Sequence, residues 1–229
     1  MTKSDNLERE ERILDAAAGL IAHYGYDKTT VSDIAQEAGI SKGAVYLHFK
    51  SKDDLFEALL LREMLRYSAE WMELVEADPQ GGTMAGVYKN ILYALKNNPF
   101  MVAIFTRDQR VLGAYMQRPD SLYRQQGSGS MRYEFVRLMQ DAGAIRTDID
   151  PKAVAHIMNM LAFALVSMDP APDAEDIPSL DETIEAIAEM MDRALTPDSE
   201  GANEAGKAII RKMVAAGQQQ FEQIRKSRA

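Results

Sequence analysis

Cysteine is absent from this sequence, which excludes disulfides and thiolate metal sites. Histidine is scarce as well: His23, His48 and His156 stand apart without ligand spacing, so no metal site is expected. No uninterrupted apolar run reaches the roughly 18 residues that a membrane helix needs, and the opening MTKSDNLEREERIL has no apolar signal core. A soluble, cytoplasmic protein is the expectation. Phosphate loops and any grouping of nucleophile, base and orienter are missing too, so neither catalysis nor a cofactor is expected. Alternating strand patterns are missing, while helical periodicity runs through nearly the whole chain, which makes the expected class all-α.

Positive charge is in short supply overall. Lysine and arginine number 26 against 35 aspartates and glutamates, a formal net charge of -9. Indiscriminate coating of nucleic acid depends on cationic neutralisation of phosphate and is therefore excluded. One stretch reverses the balance: from Ala38 through Lys52 there is no acid, while Lys42, Lys50 and Lys52 are basic.

That stretch lies inside TTVSDIAQEAGISKGAVYLHFKSK, residues 29–52. Thr30 with Asp33, and Ser51 with Asp54, fit a capping box, in which a hydroxyl satisfies an orphan backbone N–H and an acid reaches back to the cap. Ser41 also opens a helix, but Ala44 stands where the acid would be. Omitting it gives up helix stability and makes sense where the helix end approaches an anion. Lys42 and Lys52 follow two of these caps, against the helix dipole, which points to phosphate contacts; ordinary exposed lysines are the competing reading. Between the helices Ala38-Gly39-Ile40 supplies the bend, with Gly39 in a left-handed C-cap and Ile34, Ala35, Ile40, Val45 and Phe49 closing a small apolar core. This is helix-turn-helix spacing.

With Ala35, Gly39-Ile40-Ser41-Lys42-Gly43 and Tyr46-Leu47-His48-Phe49-Lys50-Ser51-Lys52-Asp53-Asp54-Leu55 in place, residues 8–60 resemble the DNA-binding domain of TetR-family transcriptional regulators. The resemblance implies phosphate contacts from Tyr46 and Lys52, and places Lys42, Gly43, Ala44, Leu47 and His48 near base edges or backbone. With the caps and Lys50 added, the expected DNA-facing set is Thr29, Thr30, Ser41, Lys42, Gly43, Ala44, Tyr46, Leu47, His48, Lys50 and Lys52. Ala44 and Leu47 cannot form bidentate hydrogen bonds, so they would read bases by apolar contact, for example with a thymine methyl.

The remaining pattern gives about ten helices in two domains: a three-helix head over residues 1–51, and a helical effector-binding and dimerisation domain over 52–229. A first helix at about Leu7 to Tyr24 buttresses the head. A long fourth helix runs from Lys52 to about Ala77 and ends at Asp78-Pro79-Gln80-Gly81-Gly82. Further helices are expected near Met84 to Lys96, Pro99 to Tyr115 and Pro119 to Ala142, the last with an irregularity at Gln125 to Ser130. Residues 153–168 are apolar almost all round, so they must be covered on more than one side. Another helix, Asp181 to Leu195, opens on the Ser179–Glu182 capping box.

The family resemblance implies that these last two helices pair with their copies in a homodimer, giving Val154, Ile157, Met158, Leu161, Leu165, Ile184, Ile187, Met191 and Leu195 as interface candidates. It also implies a pocket for a small, largely apolar effector, for which the candidates are Trp71, Tyr88, Met101, Phe105, Tyr115, Phe135, Met139, His156, Asn159, Met160 and Phe163. Ordinary core filling competes for each large side chain, and a buried or interfacial polar pair competes for His156 and Asn159. A further helix at about 203–227 carries Lys207, Arg211, Lys212, Arg225, Lys226 and Arg228; a packed helix, a DNA-touching arm and a disordered tail all fit, and its apolar stripe favours packing.

The expected function is a ligand-responsive repressor, dimeric on a palindromic double-stranded DNA operator and released by an effector. The competing class is a helical carrier or enzyme in which the N-terminal motif is only structural.

Overall fold

The computed structural model describes residues 3–118, 128–167, 177–197 and 201–228. Among them the chain is all-α, with eleven α-helices and no strand. These are α1 (Lys3–Tyr24), α2 (Val31–Glu37), α3 (Lys42–Tyr46), α4 (Lys52–Ala77), α5 (Met84–Lys96), α6 (Pro99–Thr106) and α7 (Gln109–Leu112), a 3-10 turn (Gly113–Gln117), then α8 (Ser128–Asp141), α9 (Pro151–Ser167), α10 (Leu180–Leu195) and α11 (Ala202–Arg228). Residues 119–127 lie outside the described residues, so the expected irregularity at Gln125 to Ser130 is seen only from Ser128, where the backbone is already helical.

The chain forms two compact units, Met1–Leu65 with Pro99–Gln126, and Arg66–Asn98 with Gly127–Ala229. The first is the head. Ile13, Ala17 and Ile21 of α1, Ile34 and Ala35 of α2, Val45 of α3 and Leu55, Phe56 and Leu59 of α4 are all buried in one apolar cluster. Phe100, Leu112 and Tyr115 belong to the same cluster, so the segment from α6 to the 3-10 turn completes the head core. A buried guanidinium fastens α4 to α1: Arg62 donates to Asp15 Oδ1 at 2.8 Å, Glu11 Oε2 at 3.3 Å and Glu63 Oε1 at 2.8 Å. Such a buried charge is tolerated because it is paired on every side.

The single helix expected from Pro99 to Tyr115 is broken. Arg107 takes a left-handed φ of 58°, and Asp108 then caps a new helix by accepting from Arg110 N at 2.8 Å. A residue that prefers a cap ends the helix despite continuous apolar periodicity.

In the second unit, Asp150 accepts from Lys152 N at 2.9 Å ahead of Pro151, and Ser179 with Glu182 forms the expected capping box. α11 is a packed helix. Asn203 accepts from Gly82 N at 2.7 Å and donates to Pro79 O at 2.8 Å. Lys207 is buried, and its Nζ donates to Asp78 O at 2.9 Å, placing a cation on carbonyls that follow α4. Arg211 pairs with Glu76 through two donors. The contact needs glycine on both sides: a Cβ on Gly206 would lie 1.9 Å from Gly82 O, and one on Gly82 would lie 1.8 Å from Asn203 O.

Gly206→Ala should therefore destabilise the protein by about 1–3 kcal/mol in urea unfolding. Gly217→Ala, in the same helix with open space around the site, should stabilise it by up to about 1 kcal/mol.

Candidate nucleic-acid interface

Helices α2, α3 and α4 each start on a side-chain cap. Thr30 Oγ1 accepts from Asp33 N at 3.2 Å while Asp33 Oδ2 accepts from Thr30 N at 2.9 Å, a closed capping box. Ser41 Oγ accepts from Ala44 N at 3.1 Å, and no acid answers it in the first turn of α3. Ser51 Oγ accepts from Asp54 N at 3.0 Å, but Asp54 reaches past the cap to Lys50 N at 2.8 Å. That shift ties the loop after α3 to α4. In the turn, Gly39 adopts φ 66°, and Ile40 N donates to Ala35 O at 3.0 Å, closing the C-terminus of α2.

Five residues of α3 are too few to hold a helix alone. Val45 is its buried anchor, and Phe49 follows as a second one. Everything else turns outward: Lys42, Gly43, Tyr46 and Leu47 are exposed, Ala44 and His48 half-buried. Leu47 is 82% exposed, the largest exposure among the exposed large hydrophobic residues. A bare leucine beside lysines is costly in water and useful only against an apolar partner.

Three acids near this face are engaged. Asp33 and Asp54 serve caps, and Asp53 accepts from the Tyr26 hydroxyl and pairs with Arg118. Hydrogen bonds from Thr30 hold the Asp33 carboxyl below the usual aspartate value. Lys52 Nζ rests 4.1 Å from the centroid of the Tyr26 ring, and burial lowers its pKa while Asp27 opposes the shift. Burial likewise lowers the His48 pKa, with Glu10 opposing the shift.

One residue of the sequence-derived DNA set stands apart. Thr29 is 2% exposed and donates from Oγ1 to Gly25 O at 2.9 Å, so its side chain serves the turn after α1. Lys50, Ser41 and Thr30 are exposed with the α3 set. Residues 13–59 match the family of bacterial regulatory proteins described as the tetR family.

The head is thus similar to TetR-family regulators over residues 13–59.

Over 77 residues the chain is 47% identical to the HTH-type transcriptional regulator YerO of Bacillus subtilis (strain 168), an alignment covering 32% of this chain and 25% of that one. Over 158 residues it is 28% identical to the HTH-type transcriptional repressor KstR2 of Mycolicibacterium smegmatis (strain ATCC 700084 / mc(2)155), covering 65% and 73%. A crystal structure assigned to the TetR family from Rhodococcus sp. superposes with a TM-score of 0.59 at 26% identity, covering 82% of this chain and 98% of that one. The chain spans between a quarter and a third of the length of the first curated relatives it matches.

The candidate effector residues are divided between the two units. Met101, Phe105 and Tyr115 belong to the head unit, where Tyr115 is fully buried with its ring 4.7 Å from Phe56. Tyr88, Trp71, Phe135 and Met139 are buried in the second unit, whereas His156, Asn159, Met160 and Phe163 are exposed on α9. Of the interface candidates, Val154, Met158, Ile184, Met191 and Leu195 are buried within the protomer, Leu161, Leu165 and Ile187 are half-buried, and Ile157 is exposed. The outward apolar residues are Ile157, Met160 and Phe163 on α9 and Met190 on α10. Burial separates the two faces of these helices, which periodicity alone left merged on α9. No described helix is long and apolar enough to cross a membrane.

The caps and the exposed leucine should separate in stability. Thr30→Ala should cost about 1 kcal/mol through the lost cap, while Leu47→Ala should change stability by less than about 0.5 kcal/mol, both read by urea titration.

Proposed function

We propose that the protein is a ligand-responsive transcriptional repressor of the cytoplasm, binding a palindromic DNA operator as a homodimer and leaving it when a small-molecule effector binds. The observation that carries this reading is α3: a short helix capped by Ser41 without an acid, anchored by Val45, and presenting Lys42, Gly43, Tyr46 and the bare Leu47 to solvent. A helix N-terminus with its N–H groups and Lys42 suits a phosphate, and Tyr46, Lys50 and Lys52 extend the backbone contacts. Leu47 and Ala44 then meet base edges as apolar readers, a match for the thymine methyl in the major groove.

The dimer reading rests on the outward residues of α9 and α10. Ile157, Met160 and Phe163 are each about half exposed and spaced three apart, so they share a helix face. Met190 is 66% exposed, with Ala186 exposed one turn before it. A second copy of the chain covers these faces by two-fold symmetry, and two heads then address two half-sites about one helical turn apart. Effector binding favours a conformation whose head spacing no longer fits.

Light scattering at micromolar concentration should give twice the 25.5 kDa chain mass. Phe163→Glu with Met190→Glu should give monomers whose far-UV helicity is unchanged. A wild-type monomer would contradict the dimer.

Lys42, Lys50 and Lys52 from two subunits meeting phosphates should give a log-log salt slope of about -5 on selected operator DNA. A slope near zero removes the DNA-contact assignment.

A further inference from the structure

The second unit holds a polar cluster that helix packing does not require. Tyr67 and Trp71 stand one turn apart on α4, Arg132 and Phe135 one turn apart on α8, and Trp71 meets Phe135 edge-on with ring centroids 6.4 Å apart. The guanidinium of Arg132 is half-buried within electrostatic reach of the Tyr67 and Tyr88 phenols, and donates to Asn159 Oδ1 on α9. Both phenols are committed elsewhere: Tyr67 Oη donates to Ile91 O at 3.4 Å and Tyr88 Oη to Met158 O at 3.1 Å. The indole N–H of Trp71 is not. It is buried and has no acceptor among the described residues. A buried donor without a partner costs free energy that an apolar side chain of similar size would avoid. Burial raises the proton affinity of both phenols and lowers that of Arg132, which marks the surroundings as poorly solvated for a charge.

We propose that Arg132 and Trp71 form the anion end of the effector site, and that the effector is a small molecule with an apolar body and a carboxylate. The planar fork of a guanidinium matches a carboxylate bidentately, and the indole, a donor only, supplies a further hydrogen bond to the same group. Asn159 is exposed and marks the mouth, where its neutral amide oxygen gives way to the stronger anionic acceptor. Trp71, Phe135 and Met139 are buried in the same unit and supply apolar surface for the effector's body. This assignment rests on the ligand-responsive reading and gives it a chemical class.

Trp71 is the only tryptophan of the chain, so its fluorescence reports this site without labelling. The full-length protein is titrated with straight-chain and phenyl-terminated carboxylates of increasing length, each beside its matching alcohol. At least one carboxylate should shift Trp71 emission saturably and bind more than about tenfold tighter than its alcohol. Arg132→Gln should cost that carboxylate roughly 10- to 100-fold in affinity, the range of a charge-assisted hydrogen-bonded pair, and leave the alcohol unchanged. Should Arg132→Gln fail to fold, Trp71→Phe followed by calorimetry replaces it, with a several-fold loss for the acid alone. Equal binding of acid and alcohol, a preference that survives Arg132→Gln, or no carboxylate binding up to millimolar concentration would each overturn the proposal. Operator affinity is measured in parallel. Carboxylate binding that depends on Arg132 yet leaves DNA affinity unchanged keeps the site and overturns the ligand-responsive reading; DNA release by compounds indifferent to Arg132 does the reverse.

Discussion

The aromatic knot of Tyr26, Phe56 and Tyr115 is the constraint on which the head depends. Tyr26 and Phe56 lie 4.7 Å apart, Phe56 and Tyr115 4.7 Å, and Tyr26 and Tyr115 5.9 Å, all tilted or edge-on, the arrangement their quadrupoles favour. The backbone follows the rings. Tyr26 N donates to Val111 O at 2.8 Å, and Asp27 accepts from Ala114 N at 3.1 Å, so the loop after α1 and the turn after α7 are bound as one piece. From the same tyrosine come the hydroxyl that reaches Asp53 and the ring under Lys52. The first residues of α4 are thus aimed by contacts made far away in sequence. α3 has little stability of its own and inherits its orientation from α2 and from this fixed start of α4.

A chain of net charge -9 can present a cationic face only by occupying its acids elsewhere. Three of the acids near α3 illustrate how: Asp33 closes a capping box, the Asp54 carboxylate accepts from Lys50 N, and Asp53 is shared by Tyr26 and Arg118. Each carboxylate contributes to structure while its field is partly neutralised locally. The missing acid at Ala44 has the opposite sense, since it leaves the N-terminus of α3 with its dipole uncompensated. An overall repulsive potential with one cationic patch favours docking in a single register over loose adhesion along the duplex.

Local chemistry made the head legible in the sequence, and long-range packing hid the rest. The Thr30, Ser41, Ser51 and Ser179 caps are relations across three residues, so they could be read directly. Thr29 sits beside Thr30 and looks equivalent, yet one hydroxyl faces solvent and the other the Gly25 carbonyl. Nothing in the periodicity of residues 99–115 announces the left-handed Arg107, nor that the Tyr115 ring packs against Phe56. Apolar composition around α9 gave no basis for separating Val154 and Met158, which the protomer buries, from Met160 and Phe163, which it does not. Lys207 looked like part of a basic tail and is a buried cap on carbonyls beyond α4. Arg132 escaped notice because one cation in a helix carries no signal until its neighbours are known. The indole of Trp71 offered a weak hint, since a lone tryptophan on an apolar stripe must place its N–H somewhere.

On the proposed dimeric, ligand-responsive reading, the small size of α3 has a further consequence for control. Few exposed side chains can touch bases from a five-residue helix, so a single head has little specific free energy available. Joining two heads makes the second docking event intramolecular, and the gain depends on how well their separation matches that of the half-sites. Affinity then becomes steeply sensitive to spacing while each head remains intact. Release requires no unfolding of the reader, only a ligand that binds more tightly to the conformation with the wrong spacing. By linkage, the shift cannot exceed that difference in affinity. A site that combines a guanidinium with an unfilled indole donor is well suited to supply it, because charge-assisted hydrogen bonds lose strength steeply when the helices carrying the donors move apart.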